Sequence, residues 1–150
     1  MSLKAQIMPA MKEAMKSKDK VALETLRAIK AELLKAETAS GASGEMNQAE
    51  EIKLLQKMKK QRKDAAAIYV EQGRSDLADD EIAQTKVLAK FLPQQMSAEE
   101  LEKAVATIIQ KVGASAPSDM GRVMGVTSKE LAGKAEGRVI ADTVKALLNK

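Results

Sequence analysis

The residues that could do chemistry gather in three places. The densest is DMGRVMGVTSKELAGKAEGRVI, residues 119–140, which holds four of the eight glycines. Gly121 with Gly125 and Gly133 with Gly137 form two G-x-x-x-G pairs, and Arg122, Lys134 and Arg138 each directly follow a glycine. A phosphate-cradling nucleotide loop would read G-x-x-x-x-G-K-[ST] after a strand. Here Gly133-Lys134 is followed by Ala135, Ser128 stands where the first glycine belongs, and no strand pattern precedes. Nucleotide hydrolysis through these glycines is not expected. Two readings remain. In the first, Gly121 and Gly125, one helical turn apart, let another backbone approach closely beside Met120 and Met124, while Gly133 ends that helix and Gly137 bends the chain into the next. In the second, Arg122, Lys134 and Arg138 contact a polyanion at these helix ends.

The second place is K-M-K-K-Q-R-K, with Lys57, Lys59, Lys60, Arg62 and Lys63 in seven residues. On a helix these charges cover nearly two turns, with Lys53, Lys57 and Lys60 on one face and Lys59, Arg62 and Lys63 on another. Charged groups on long stems suit a phosphate backbone, which needs charge and no base reading. The alternative is a solvated face paired at i,i+4 with Glu50, Glu51 or Asp64. The third place is the acidic cluster Asp76, Asp79, Asp80 and Glu81. Oxygen clusters can hold divalent cations or perform acid–base work, but no EF-hand spacing is present and a helix N-terminus favours acids in any case.

The composition removes most other chemistry. The chain has 150 residues, no cysteine and no histidine, so thiol nucleophiles, disulfides, Cys/His zinc sites and histidine acid–base catalysis are all absent. No catalytic residue, metal ligand set or cofactor is assigned. A net charge of +4 and a pI near 9.2 are compatible with an acidic partner. Tyr69 and Phe91 are the only aromatics, leaving almost nothing on which to stack nucleobases. The N-terminal residues break their apolar run with lysines and Glu13, unlike a secretory signal, and no stretch approaches the roughly 20 apolar residues of a membrane span. A soluble, cytoplasmic protein with no membrane partner is expected.

Alanine, lysine, glutamate, leucine and glutamine dominate, and strong helix formers at that density predict an all-α fold. Residues 3–17 carry an apolar stripe of Ile7, Met8, Met11 and Met15, with Pro9 either kinking the helix or lying in its first turn. Leu23, Leu26, Ile29, Leu33 and Ala36 mark one face of a second helix, which SGASG (40–44) ends. Asn47 with Glu50 has capping-box spacing and opens a long third helix that stops at Gly73, with Ile52, Leu55, Met58, Ala65, Ala66 and Tyr69 facing inward. Ser75 or Asp76 caps a fourth helix, closed by Leu88, Phe91 and Leu92 before Pro93. Ser97 with Glu100 forms a second capping box after FLPQQ. Three short helices follow, near 98–111, 119–131 and 138–149. The expected organisation is an N-terminal four-helix domain at 1–93 and a small three-helix domain at 94–150.

The strings KKQRKDAAAIYVEQGRSDLADDEIAQTKVLAKFLPQQMSAEEL, VGASAPSDMGRVMG and GKAEG resemble the GatB/YqeY family over essentially the whole chain. The most specific parts are G-R-x-D-L-A (Gly73 to Ala78), the F-L-P-Q-Q turn, and D-M-G-R-V-M-G followed by G-K-A-E-G. The resemblance implies a helical bundle followed by a three-helix tail, and a relation to the tail of the B subunit of glutamine-dependent tRNA amidotransferase, which grips the body of tRNA. This chain lacks the catalytic cradle of that subunit, so catalysis does not carry over. The leading expectation is a non-catalytic accessory protein binding tRNA or other folded RNA. Its contacts would be Lys57, Lys59, Lys60, Arg62, Lys63, Arg74, Arg122, Lys134 and Arg138. The alternative is an adaptor that docks an aminoacyl-tRNA synthetase or amidotransferase subunit.

Overall fold

A computed structural model describes residues 2–39 and 46–149 of the chain. Among the described residues there are seven α-helices, one short 3₁₀ turn and no strand. The SGASG segment expected to end the second helix lies outside them. The chain divides into two compact units, Met1–Leu92 and Pro93–Lys150.

The first unit contains α1 (Leu3–Lys16), α2 (Lys20–Thr38), α3 (Gln48–Glu71) and α4 (Ser75–Ala89). Each start that carries a capping side chain uses it to satisfy an otherwise orphaned amide. Ser2 Oγ accepts from the Ala5 amide at 3.2 Å, and Asp19 Oδ1 from the Ala22 amide at 3.0 Å. At α3 the box closes in both directions: Asn47 Oδ1 accepts from the Glu50 amide at 2.9 Å, and Glu50 Oε2 from the Asn47 amide at 3.0 Å. The α4 start differs from expectation. Arg74 occupies the cap position without a side-chain cap, and Ser75 is already helical. Gly73, at φ +73°, turns the chain out of α3 in a left-handed conformation, and the Arg74 amide reaches back to the Tyr69 carbonyl at 2.8 Å.

Packing runs α1 on α2, α3 on α4, and α2 on α4. Leu3, Ile7, Leu26, Ile29, Leu33, Leu55, Met58, Leu88 and Leu92 form the buried centre, with Phe91 packed against it. The Leu3 amide also donates to Glu51 Oε2 at 2.9 Å, placing a carboxylate at the positive start of α1. The α1 stripe is rotated from the expected one. Leu3, Ile7 and Ala14 are buried and Met11 is partly so, whereas Met8 and Met15 are exposed. Pro9 lies mid-helix, and α1 continues through it. Its missing N–H would have met the carbonyl of Ala5, an exposed residue, so water can replace the lost bond.

The second unit contains α5 (Ala98–Val112), the 3₁₀ turn Pro117–Asp119, α6 (Met120–Glu130) and α7 (Gly137–Leu148), each α-helix packed on the other two. Ser97 and Glu100 close a capping box at 3.1 Å in both directions. Gly113, at φ +70°, ends α5. Leu101, Val105 and Ile108 from α5, Val123 from α6, and Ile140, Val144 and Leu148 from α7 make the core. Their spacing of three or four residues within a helix is what aligns them on one face. Thr127 is fully buried and returns its hydroxyl to the Val123 carbonyl at 3.0 Å, so it enters the core without a missing hydrogen bond.

Two glycine assignments change. Gly121 and Gly125 are exposed on α6, and a Cβ built at either would meet nothing within 4 Å. No backbone packs against them among the described residues, so the close-approach reading is not what this fold uses. Replacing Gly125 by alanine is therefore expected to stabilise the second unit by about 0.5–1 kcal/mol, from helix propensity alone. A higher midpoint of thermal unfolding checks this, and a lower one would mean that something does pack there. Gly133 lies beyond the end of α6 rather than at it. It is buried at φ +78°, and its carbonyl accepts Gln95 Nε2 at 2.6 Å. Gly137 is the first residue of α7.

Candidate nucleic-acid interface

The basic run lies entirely on α3, a 24-residue helix about 36 Å long. The buried residues Leu55, Met58 and Ala66 define its inward direction. At 100° per residue, Lys53, Lys57 and Lys60 lie opposite that face, and all three are exposed. Among the described residues neither Lys53 nor Lys57 has an ion-pair partner; Lys60 pairs with Asp64 at 2.9 Å, both side chains remaining well solvated. Such an exposed i,i+4 pair is worth only a few tenths of a kcal/mol, which a phosphate can displace.

The other expected group is not an equivalent second face. Arg62 Nε donates to Gln84 Oε1 at 2.7 Å, and a terminal guanidinium nitrogen donates to the Met58 carbonyl at 3.2 Å. Gln84 is buried, so Arg62 is its hydrogen-bonding partner and part of the α3–α4 packing. This removes Arg62 from the set of groups open to a polyanion. Lys59 is half-buried beside the same edge, and Lys63, although exposed, is engaged within the chain. Replacing Arg62 by alanine should destabilise the first unit by about 1–3 kcal/mol, because the Gln84 carbonyl loses a charge-assisted bond. Restoration by the double change Arg62→Met with Gln84→Leu, read by chemical denaturation, would separate that role from one in binding.

The remaining cations are also partly committed. Arg74 makes two bonds to Asp76, each 3.2 Å, and these hold the Asp76 carboxyl below its ordinary range. Asp76 is thus the partner of an arginine. Among the described residues, no three carboxylates come close enough to hold a metal ion. Arg122 pairs with Asp119 at 3.3 Å. Lys134 and Arg138 are exposed, Lys134 in the turn after α6 and Arg138 in the first turn of α7. The Lys134 carbonyl accepts the Met96 amide at 2.9 Å, so the backbone of this corner is pinned while its side chains stay in solvent.

Asp119 has a structural task. Its Oδ2 accepts from the amides of Ser115 and Ala116 at 3.1 and 3.2 Å, and those two bonds, with the Arg122 charge beside them, lower its pKa. A lowered native pKa stabilises the fold above the unfolded value near 3.9, and that contribution disappears as pH falls through the native value. Wild type should therefore unfold at a higher temperature than Asp119→Asn at pH 6, and the two should converge well below pH 4. A gap that persists undiminished in acid would contradict this.

The sequence profile of the YqeY-like proteins matches residues 4–148. The chain belongs to the YqeY-like family. None of the curated proteins matches it. Within this YqeY-like chain, the G-R-S-D-L-A segment forms the α3–α4 turn and the first residues of α4, and F-L-P-Q-Q spans the boundary between the two units. D-M-G-R-V-M-G is the start of α6 with the aspartate that organises the preceding loop. Among the described residues of this YqeY-like fold no helix is long and apolar enough to cross a membrane. Sequence reasoning missed Gln84, whose burial decides the fate of Arg62; a lone glutamine on an amphipathic helix carries no signal of a partner 22 residues away.

Proposed function

We propose that this chain is a non-catalytic accessory protein that binds tRNA or a similarly folded RNA through the outward face of α3. The observation that carries the reading is the row Lys53, Lys57 and Lys60. These are three exposed ammonium groups on one face of a long helix, two of them without a carboxylate partner among the described residues. They rise about 6 and 4.5 Å along the axis from one to the next, a spacing that lets each neutralise a separate phosphate. Lys134 and Arg138 supply a smaller exposed pair in the second unit.

The rings support folded RNA over single strands. Phe91 packs against the first core and Tyr69 is half-buried, so neither offers an open face to a base. Recognition must then come from phosphates, 2′-hydroxyls and shape. Binding of labelled tRNA should be at least about tenfold tighter than binding of an unstructured RNA of equal length. It should also weaken steeply between 50 and 200 mM salt. Equal affinity for the two RNAs, or no binding at low salt, would end this reading.

A further inference from the structure

A second surface has different chemistry and does not depend on RNA binding. Between α1 and α2 runs a groove whose floor is Ile7 and Leu33, both buried, and whose walls include Met8 and Leu34. Met8 is 55% exposed and Leu34 47%, large apolar side chains that the fold leaves partly in water. Lys4 borders the groove from α1 and Lys30 from α2. The pattern continues along both helices. Lys12 and Met15, the latter 53% exposed, follow Met8 at i+4 and i+7, and Arg27 precedes Lys30 by three. One carboxylate lines the groove, Glu37. It is tied to Lys4 at 3.3 Å, and its side chain is only 15% exposed. The result is an apolar trough with Lys30 and Arg27 on the α2 side and, on the α1 side, Lys12 together with a Lys4 whose charge Glu37 already partners.

We infer that this trough docks an acidic amphipathic α-helix of a partner protein. The occupant would present apolar residues at i, i+3 or i+4, and i+7 to Ile7, Met8, Leu33 and Leu34, with aspartate or glutamate on both flanks toward Lys12 and Lys30. Two features choose this occupant. The rims are cationic and the floor is apolar, so a ligand must carry negative charge on either side of an apolar ridge, a property of such a helix and not of a phosphate backbone. The surface is also concave, with its most buried residues at the bottom, which fits a convex helix ridge better than a flat lipid surface. The unbranched Met8 and Met15 can adjust to side chains of differing shape.

The test is a selection from a displayed library of helix-forming 16-residue peptides on the full chain, with counter-selection on Leu34→Glu. Enriched peptides should share an apolar i, i+3/i+4, i+7 stripe flanked by acids. The best of them should bind Leu34→Glu and Lys30→Glu at least about tenfold more weakly, both variants retaining the wild-type circular dichroism and melting midpoint. Lys30→Glu keeps the apolar floor, so it stands as the variant of record if Leu34→Glu folds poorly. Its effect should also be reversed by a peptide with lysine in place of the facing acid. No enrichment over the counter-selection overturns the inference, as does enrichment of basic or non-helical sequences. It is equally overturned if Leu34→Glu abolishes binding to phosphatidylglycerol-containing vesicles, or dissociates a dimer seen by sedimentation, while no peptide is enriched. Lys53, Lys57 and Lys60 lie on a different helix, so failure of RNA binding and failure of this docking are separable results.

Discussion

Reversing Lys53, Lys57 and Lys60 to glutamate is expected to weaken tRNA binding by roughly a hundredfold or more at 0.1 M salt, with the fold intact. Each lysine that neutralises a phosphate releases about one counterion. Loss of three such contacts should reduce the slope of log affinity against log salt by about three. Neutral replacement by glutamine should give most of the slope change and a smaller loss, since it removes attraction without adding repulsion. All three side chains are solvent-exposed on the side of α3 opposite Leu55 and Met58, so glutamine replacement should move thermal stability little. The reversal, by contrast, breaks the Lys60–Asp64 pair and lines up acids with Glu50 and Asp64 at i,i+3 and i,i+4, which should cost about 1–2 kcal/mol. Arg62 stands outside this set, because its substitution would confound binding with the loss of the Gln84 bond. A triple variant that binds tRNA as wild type does would move the interface off α3.

The largest effect on stability should come from Leu88→Ala. Leu88 on α4 is fully buried within the cluster that also holds Ile29, Leu55 and Met58, so truncation leaves a cavity where α2, α3 and α4 meet. A loss of about 2–5 kcal/mol follows from the removed transfer energy and the unfilled space. Leu34→Ala provides the matched control, because the same side chain at 47% exposure should cost within about 0.5 kcal/mol. Chemical denaturation of both variants checks the difference. Equal losses would mean that Leu34 is covered or that the cluster can collapse around a missing isobutyl group.

Much of this architecture is legible locally because helix ends use short-range chemistry. Asn47 with Glu50 and Ser97 with Glu100 sit three residues apart, and the geometry that makes them a box follows from that spacing. Gly73 marked the α3 stop for the same reason. What resisted reading was the azimuth of α1. The stripe Ile7, Met8, Met11 and Met15 fills a compact arc of about 100° on α1, yet contact with α2 turns Leu3, Ile7 and Ala14 inside and leaves Met8 and Met15 out. On α3 the helical period already separates the two: Arg62 falls four residues after Met58 and four before Ala66, on the buried face, while Lys57 lies opposite. What the period does not show is the partner that holds Arg62 there, Gln84, far away in sequence. Gly121 and Gly125 show the converse limit. Their spacing permits a close neighbour, but permission is not contact, and open space lies above both. Of the nine cations expected at an RNA contact, Arg62 is taken into the packing, Lys60, Arg74 and Arg122 each hold a solvent-exposed ion pair, and Lys57 and Lys60, joined by Lys53, form the exposed row on α3.

Crosslinking in cells, followed by sequencing of the RNA recovered with the wild-type chain and with the Lys53/Lys57/Lys60→Glu variant, decides whether the outward face of α3 holds folded RNA. tRNA should dominate the wild-type sample and fall to background in the variant at equal protein level. Recovery of tRNA unchanged in the variant, or no enrichment of folded RNA with wild type, would contradict it.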